Sequence, residues 1–138
     1  MITVLIADDH SLVRNILQRV LERAGDIQIV AVAADGQEAV EQAVLHSPNV
    51  AVVDVSMPCL NGIDATKQIC ACCPQTRVLM LSMEANPQYV HQGIQAGALG
   101  YVLKDGVRDE LIIAIRSVYQ GNPYFSKQIS EVARHFIQ

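Results

Sequence analysis

Short runs of β-branched and aliphatic residues alternate along this chain with longer stretches whose apolar positions recur every three or four residues. The runs lie at Thr3–Ala7, Ile27–Ala33, Asn49–Val53, Arg77–Leu81 and Gly100–Leu103. The helix-period stretches lie at about Leu12–Arg23, Gln37–His46, Ile63–Cys73, Pro87–Ala96 and Arg108–Gln120. Strand starts at 3, 27, 49, 77 and 100 are separated by 24, 22, 28 and 23 residues. That is the rhythm of repeated βαβ units, and it predicts an α/β fold with a parallel sheet covered by helices on both faces. The first, third and fourth runs are apolar on both alternations, which places them at the centre of the sheet. The second, Ile27-Gln28-Ile29-Val30, admits a polar residue and suits an edge.

Punctuation residues support these limits. Ser11 is the expected cap of the first helix and Gly25 follows its end; Asp35 caps the second, and Ser47-Pro48 stops it. Pro87 fits the first turn of the fourth. The first helix carries Leu12, Val13, Ile16, Leu17, Val20 and Leu21 over about half its circumference, wider than a single core-facing stripe needs. In the fifth, Leu111, Ile112, Ile115, Val118 and Tyr119 form the core face, and Ile113 points the other way. After Gly121-Asn122-Pro123, Ser126 is a good N-cap for a sixth helix with Ile129, Val132, Ala133, Phe136 and Ile137 at helical spacing.

Composition narrows the class. At 138 residues, one domain is expected. Hydrophobic residues at 51% and charged residues at 17% exclude intrinsic disorder. A net charge of −4 argues against a nucleic-acid-binding module, which shows a basic face. No apolar run approaches a membrane span, and the start meets Asp8-Asp9 where a signal peptide would still be apolar. A cytoplasmic protein is expected. Of four cysteines, three crowd into Cys70-Ala-Cys72-Cys73, which is neither a disulfide frame nor a four-ligand zinc pattern. On a helix from Ile63, Cys70 and Cys73 share the side of Ile63, and Cys72 faces solvent. Reduced thiols are expected.

In an open parallel sheet, sites form at the carboxyl ends of the strands. Here those ends carry Asp8-Asp9, Asp54, Ser82 and Lys104. Clustered carboxylates repel, and a hard divalent cation relieves them, Mg²⁺ first among the candidates. Lys104 adds positive charge, Asp54 could attack a phosphorus atom, and Ser82 could hydrogen-bond a phosphoryl oxygen. Each residue alone has a plainer reading: a turn or helix cap for the aspartates and the serine, a solvated cation for the lysine. Four strand ends in agreement outweigh it.

Four stretches carry a resemblance: Val4-Leu-Ile-Ala-Asp8-Asp9-His, Val52-Val-Asp54-Val-Ser-Met-Pro58-Cys-Leu-Asn-Gly62, Val78-Leu-Met-Leu-Ser82, and Ala96-Gly-Ala-Leu-Gly-Tyr101-Val-Leu-Lys104-Asp. Over residues 2–121 the chain resembles the receiver domain of two-component response regulators. The Lys-Asp ending and the Gly-x-x-Tyr-Phe-Ser tail resemble the LuxR-type (NarL/FixJ) branch most. The resemblance implies a flavodoxin-like (CheY-like) doubly wound five-stranded sheet in the order 2-1-3-4-5, with the sixth helix in excess. It also implies a receiver over 1–121, and over 122–138 a C-terminal helix leading toward a DNA-binding helix-turn-helix domain. Asp54 matches the phosphoacceptor, Asp9 a direct Mg²⁺ ligand, Asp8 one acting largely through water, and the Ser56 carbonyl a third protein ligand. Ser82 matches the switch hydroxyl, Lys104 the phosphate-pairing lysine and Tyr101 the aromatic switch; Pro58 and Gly62 shape the loop after Asp54. Where many receivers follow the lysine with a cis proline, this chain has Asp105.

The implied function is a phosphorylatable switch served by a sensor histidine kinase, with slow self-dephosphorylation and no turnover of a substrate; a stand-alone receiver acting through protein contacts is the alternative. An aspartate-nucleophile phosphatase needs a second Asp two residues after the nucleophile, where Ser56 stands. A P-loop is absent, and Asp8-Asp9 would repel a flavin phosphate. On phosphorylation the Tyr101 ring is expected to turn from solvent toward the core. A homodimer is expected through the first and fifth helices, near Leu17, Leu21 and Ile113. The sixth helix would either cover that patch or pack on the mate.

Overall fold

The computed structural model describes residues 1–134. Strands β1 (Ile2–Ala7), β2 (Ile27–Ala33), β3 (Val50–Asp54), β4 (Arg77–Ser82) and β5 (Gly100–Leu103) alternate with helices α1 (Ser11–Glu22), α2 (Gly36–His46), α3 (Gly62–Cys72), α4 (Pro87–Ala96) and α5 (Val107–Tyr119). A two-residue strand β6 (Tyr124–Phe125) and helix α6 (Lys127–Ala133) follow. The sheet is parallel throughout, in the order β2-β1-β3-β4-β5-β6. The expected order 2-1-3-4-5 is therefore present, with β2 at one edge, and β6 extends it. A pair of residues shows no alternation to read, so β6 left no signal in the sequence.

Strand alternation sends side chains to two separate cores. Leu5, Ala51, Val53, Val78, Met80 and Tyr101 face α2, α3, α4 and α6. Val4, Ile6, Val52, Leu79, Leu81 and Val102 face α1 and α5. The wide stripe of α1 is explained by its neighbours, α5 as well as β1 and β2. Leu17, Val20 and Leu21 are buried in this second core, Val13 and Ile16 are half-buried against it, and only Leu12 stands clear, 70% exposed. Leu17 and Leu21 are thus core residues and cannot belong to the dimer surface expected of them. Ile113 on α5 does face solvent, 56% exposed.

Helix α6 settles on the other face, against α4, with Ile129 and Ala133 buried and Val132 half-buried there. It does not cover the α1–α5 surface. Phe136 and Ile137 lie outside the described residues. Among the caps, Asp35 accepts the Glu38 N–H at 2.8 Å as expected, and Asn61 and Asn86 cap α3 and α4, the latter with Pro87 in the first turn. Ser11 is not a cap: it is the first helical residue, and His10 stands before it. Ser126 precedes α6, but its hydroxyl makes tertiary bonds instead of capping. No helix among the described residues is long and apolar enough to cross a membrane.

Candidate functional site

The strand order brings Asp54 to the middle of the carboxyl edge, since β3 lies between β1 and β4. Asp8 and Asp9 follow β1, Ser82 closes β4, and Lys104 opens a single 3-10 turn directly after β5. Every peptide bond among the described residues is trans, that between Lys104 and Asp105 included. All four strand ends named from the sequence meet here.

The Lys104 ammonium lies 3.0 Å from Asp54 Oδ2 and 3.0 Å from Asp8 Oδ2, bridging the two carboxylates. Asp8 is fully buried and Asp54 nearly so. Burial, and then the Asp8 charge, push the Asp54 carboxyl up to about 6, against the opposing pull of Lys104 and the Ser56 N–H. Burial alone would lower Lys104, but its bonds to Asp8 and Asp54 outweigh it and raise the ammonium above its ordinary value. The second oxygen of Asp54 accepts a long bond from the Ser56 N–H at 3.3 Å. The loop that supplies Ser56 returns to the sheet at Gly62, whose N–H reaches the Val55 carbonyl at 2.8 Å. A side chain at Gly62 would run into the Asp54 carbonyl, so the close approach requires glycine there.

His10, which the strand-end pattern leaves without a role, belongs to the cluster. Its Nδ1 lies 3.1 Å from Asp9 Oδ1 and 3.4 Å from Asp8 Oδ1, and its backbone N–H donates to Asp8 Oδ1 at 2.9 Å. Asp8, Asp9, His10 and Asp54 can each bring one ligand atom within 4.8 Å of all the others. The signal was adjacency to Asp8-Asp9, but i and i+1 side chains converge only where the chain turns, and that turn is a tertiary fact. Three carboxylates and one ammonium leave two negative charges, the charge that a hard divalent cation offsets. Asp8 Oδ2 has no hydrogen bond beyond its ion pair with Lys104. The donor set therefore fits a metal ion of this kind.

Ser82 is buried beside the cluster; its hydroxyl donates to the Glu84 carbonyl at 2.8 Å and accepts the Glu84 N–H at 3.3 Å. The Tyr101 ring is wholly buried, packed near Gly93 of α4. This corrects the expectation of a solvent-facing ring: the absent side chain of Gly93 and the cover of α4 and α6 leave room for it inside. Burial pushes the phenol up to about 12, with the Ser82 hydroxyl partly opposing the shift. The Tyr101 hydroxyl completes no hydrogen bond.

Comparison with known proteins agrees with this geometry. The family model of the response regulator receiver domain matches residues 4–116. The oxygen regulatory protein NreC of Staphylococcus epidermidis is 38% identical over 128 residues, covering 92% of this chain and 59% of that protein. The chain thus spans about three-fifths of the length of the curated relatives it matches. A crystal structure of a two-component response regulator of the LuxR family from Aurantimonas sp. SI85-9A1 superposes with a TM-score of 0.90 at 31% identity, over 99% of this chain and 98% of that one. The signal receiver domain of the putative response regulator NarL from Mycobacterium tuberculosis gives 0.84 at 35% identity, over 88% and 98%. Fold, site and relatives together place this chain in the family of response regulator receiver domains, in its LuxR-type (NarL/FixJ) branch.

Proposed function

We propose that Asp54 accepts a phosphoryl group from a sensor histidine kinase and that the surface change which follows controls an output, transcription in the first instance. The observation that carries this reading is the Lys104 bridge: one ammonium 3.0 Å from both the Asp54 and Asp8 carboxylates, at a buried sheet edge. An Asp54 oxygen attacks the phosphorus, the new P–O bond forms, and the bond to the donor imidazole nitrogen breaks. Lys104 already touches the attacking carboxylate and would pair with the phosphoryl oxygens as charge builds. Asp9, Asp54 and the Ser56 carbonyl, with Asp8 through water, would hold a Mg²⁺ ion, which would supply the remaining neutralising charge. A carboxyl that loses its proton only near pH 6 is a stronger base than an ordinary aspartate, and is ionised at neutral pH.

Ser82 is the proposed switch hydroxyl. A phosphoryl oxygen on Asp54 would compete with the Glu84 carbonyl for it, and the loop after β4 would follow. The Tyr101 ring, buried beside Ser82, would hold the conformation that the Ser82 hydroxyl sets. Residues 1–121 act as the phosphoacceptor unit, and 122–138, of which 124–133 pack on it as β6 and α6, lead from it toward a DNA-binding output. A dimer through α1 and α5 would use Leu12 and Ile113. A receiver acting by protein contacts alone is the second reading; the NreC, NarL and LuxR-family relatives favour the first.

The test is incubation with Mg²⁺ and acetyl phosphate. One phosphoryl group should be gained, labile to hydroxylamine as an acyl phosphate is, and Asp54→Asn should gain none. Labelling elsewhere with Asp54 intact would overturn the assignment.

A further inference from the structure

Neighbouring side chains on a helix point about 100° apart and do not face each other. Cys72 and Cys73 break that rule: their sulfur atoms lie 3.5 Å apart. The reason is local. Cys72 is the last residue of α3, and Cys73 leaves the helix with φ −130° and ψ 71°, which swings its side chain back toward that of Cys72. Pro74 follows and prevents the helix from resuming. The other two cysteines are outside the pair, although Cys70 is near enough to feel the charge of Cys72. Cys59 is exposed in the loop before α3. Cys70 turns toward α4, where a side chain added at Gly97 would fall 2.8 Å from its sulfur.

We infer that Cys72 and Cys73 form a two-thiol site for a soft, thiophilic ligand, and that a monosubstituted trivalent arsenical is the chemistry it fits. Two sulfurs at close range supply the two bonds such an arsenic atom exchanges. Zinc would ask for four ligands, and among the described residues the only group of three or more metal-ligating side chains is the acidic cluster at Asp54. A cavity of about 250 Å³ beside the pair, lined by Val44, Ser47, Cys72, Cys73 and Pro74, can take the organic substituent. Burial holds the Cys73 thiol up at about 11, so it stays protonated at neutral pH. That suits a condensation: an arsenic oxide with one organic group takes up two thiols, two As–S bonds form, and the oxygen leaves with both thiol protons as one water. Arsenic remains trivalent and nothing is oxidised.

The pair lies at the far end of α3 from Asp54, beside the N-terminal edge of the sheet, where the Thr76 hydroxyl donates to the Pro48 carbonyl at 2.7 Å. Occupation should therefore leave the carboxyl edge free. The experiment uses phenylarsine oxide on the full chain, read by intact mass and peptide mapping. One phenylarsenic group should bridge Cys72 and Cys73, be removed by a dithiol and resist a monothiol. Cys72→Ser and Cys73→Ser should each weaken binding by roughly 100-fold, the loss expected when a two-point attachment becomes single. Cys59→Ser and Cys70→Ser should bind as the parent does. Far-UV circular dichroism establishes that each variant is folded before it is scored. An adduct that survives in Cys72→Ser, that requires Cys70, or that a monothiol removes would overturn the assignment.

Discussion

The Ser126 hydroxyl accepts the backbone N–H of Leu103 at 3.1 Å and donates to Glu110 at 2.9 Å. Leu103 immediately precedes Lys104, so one side chain joins the segment after α5 to the strand that presents the amine bridging Asp8 and Asp54. Glu110 also accepts the Tyr124 hydroxyl at 2.9 Å, and the Ser126 N–H reaches the Tyr101 carbonyl at 3.1 Å. β6 is thereby fastened to β5 and to α5 at once. Ser126→Ala would leave the buried Leu103 N–H without a partner, at a cost of about 1–3 kcal/mol. Urea denaturation of the two proteins measures this; equal midpoints would show that Leu103 finds another acceptor.

Asp54 sets a pH dependence whose sign follows from its raised value. An unfolded carboxyl ionises near 3.8, and the folded one near 6. Between those values the native state holds more protons than the unfolded chain, so stability falls as pH rises through this window. Asp54→Asn removes the effect. From pH 4 to pH 7 the parent should lose on the order of 2–3 kcal/mol relative to Asp54→Asn. Chemical denaturation at both pH values tests this, and parallel pH profiles would contradict the proposed burial of an ionised Asp54.

Mg²⁺ should reverse that loss at neutral pH, because a ligand that binds only the native state stabilises it. Asp9→Ala should abolish the stabilisation without unfolding the domain. Thermal melts with and without the ion decide, and an undiminished Mg²⁺ response in the variant would remove Asp9 from the ligand set.

Gly62→Ala tests the loop after Asp54. A methyl group there would collide with the Asp54 carbonyl, so the backbone must shift. Overpacking of this kind is worth about 1–3 kcal/mol, and acetyl phosphate labelling of Asp54 should slow along with it. A variant as stable and as reactive as the parent would show that the loop absorbs the methyl freely.

Ile113→Glu tests the dimer. Leu12 and Ile113 are exposed on helices that neighbour each other. Sedimentation of the phosphorylated parent should show dimer, and of phosphorylated Ile113→Glu monomer. A parent that stays monomeric when phosphorylated, or a variant that still dimerises, would eliminate this surface.

The sequence by itself determined the class of fold and most of the site. Apolar runs recurring at intervals of 22 to 28 residues dictate βαβ units, and the carboxyl-edge rule then selects Asp8, Asp9, Asp54, Ser82 and Lys104 from their positions along the chain. Periodicity works here because each strand and helix must bury a face. Tertiary structure decided what no local pattern encodes. Leu17 and Leu21 look like surplus on an isolated helix; they are core because α5 lies alongside α1 and deepens the second core. Tyr101 reads as a solvent-facing ring, and is interior because Gly93, packed against it from α4, has no side chain. β6 is two residues long, and pairing with β5 rather than any propensity makes it a strand. His10 and the Cys72–Cys73 pair share one reason: adjacent side chains meet only where the backbone leaves regular geometry, and where it does so depends on the packing of the whole domain.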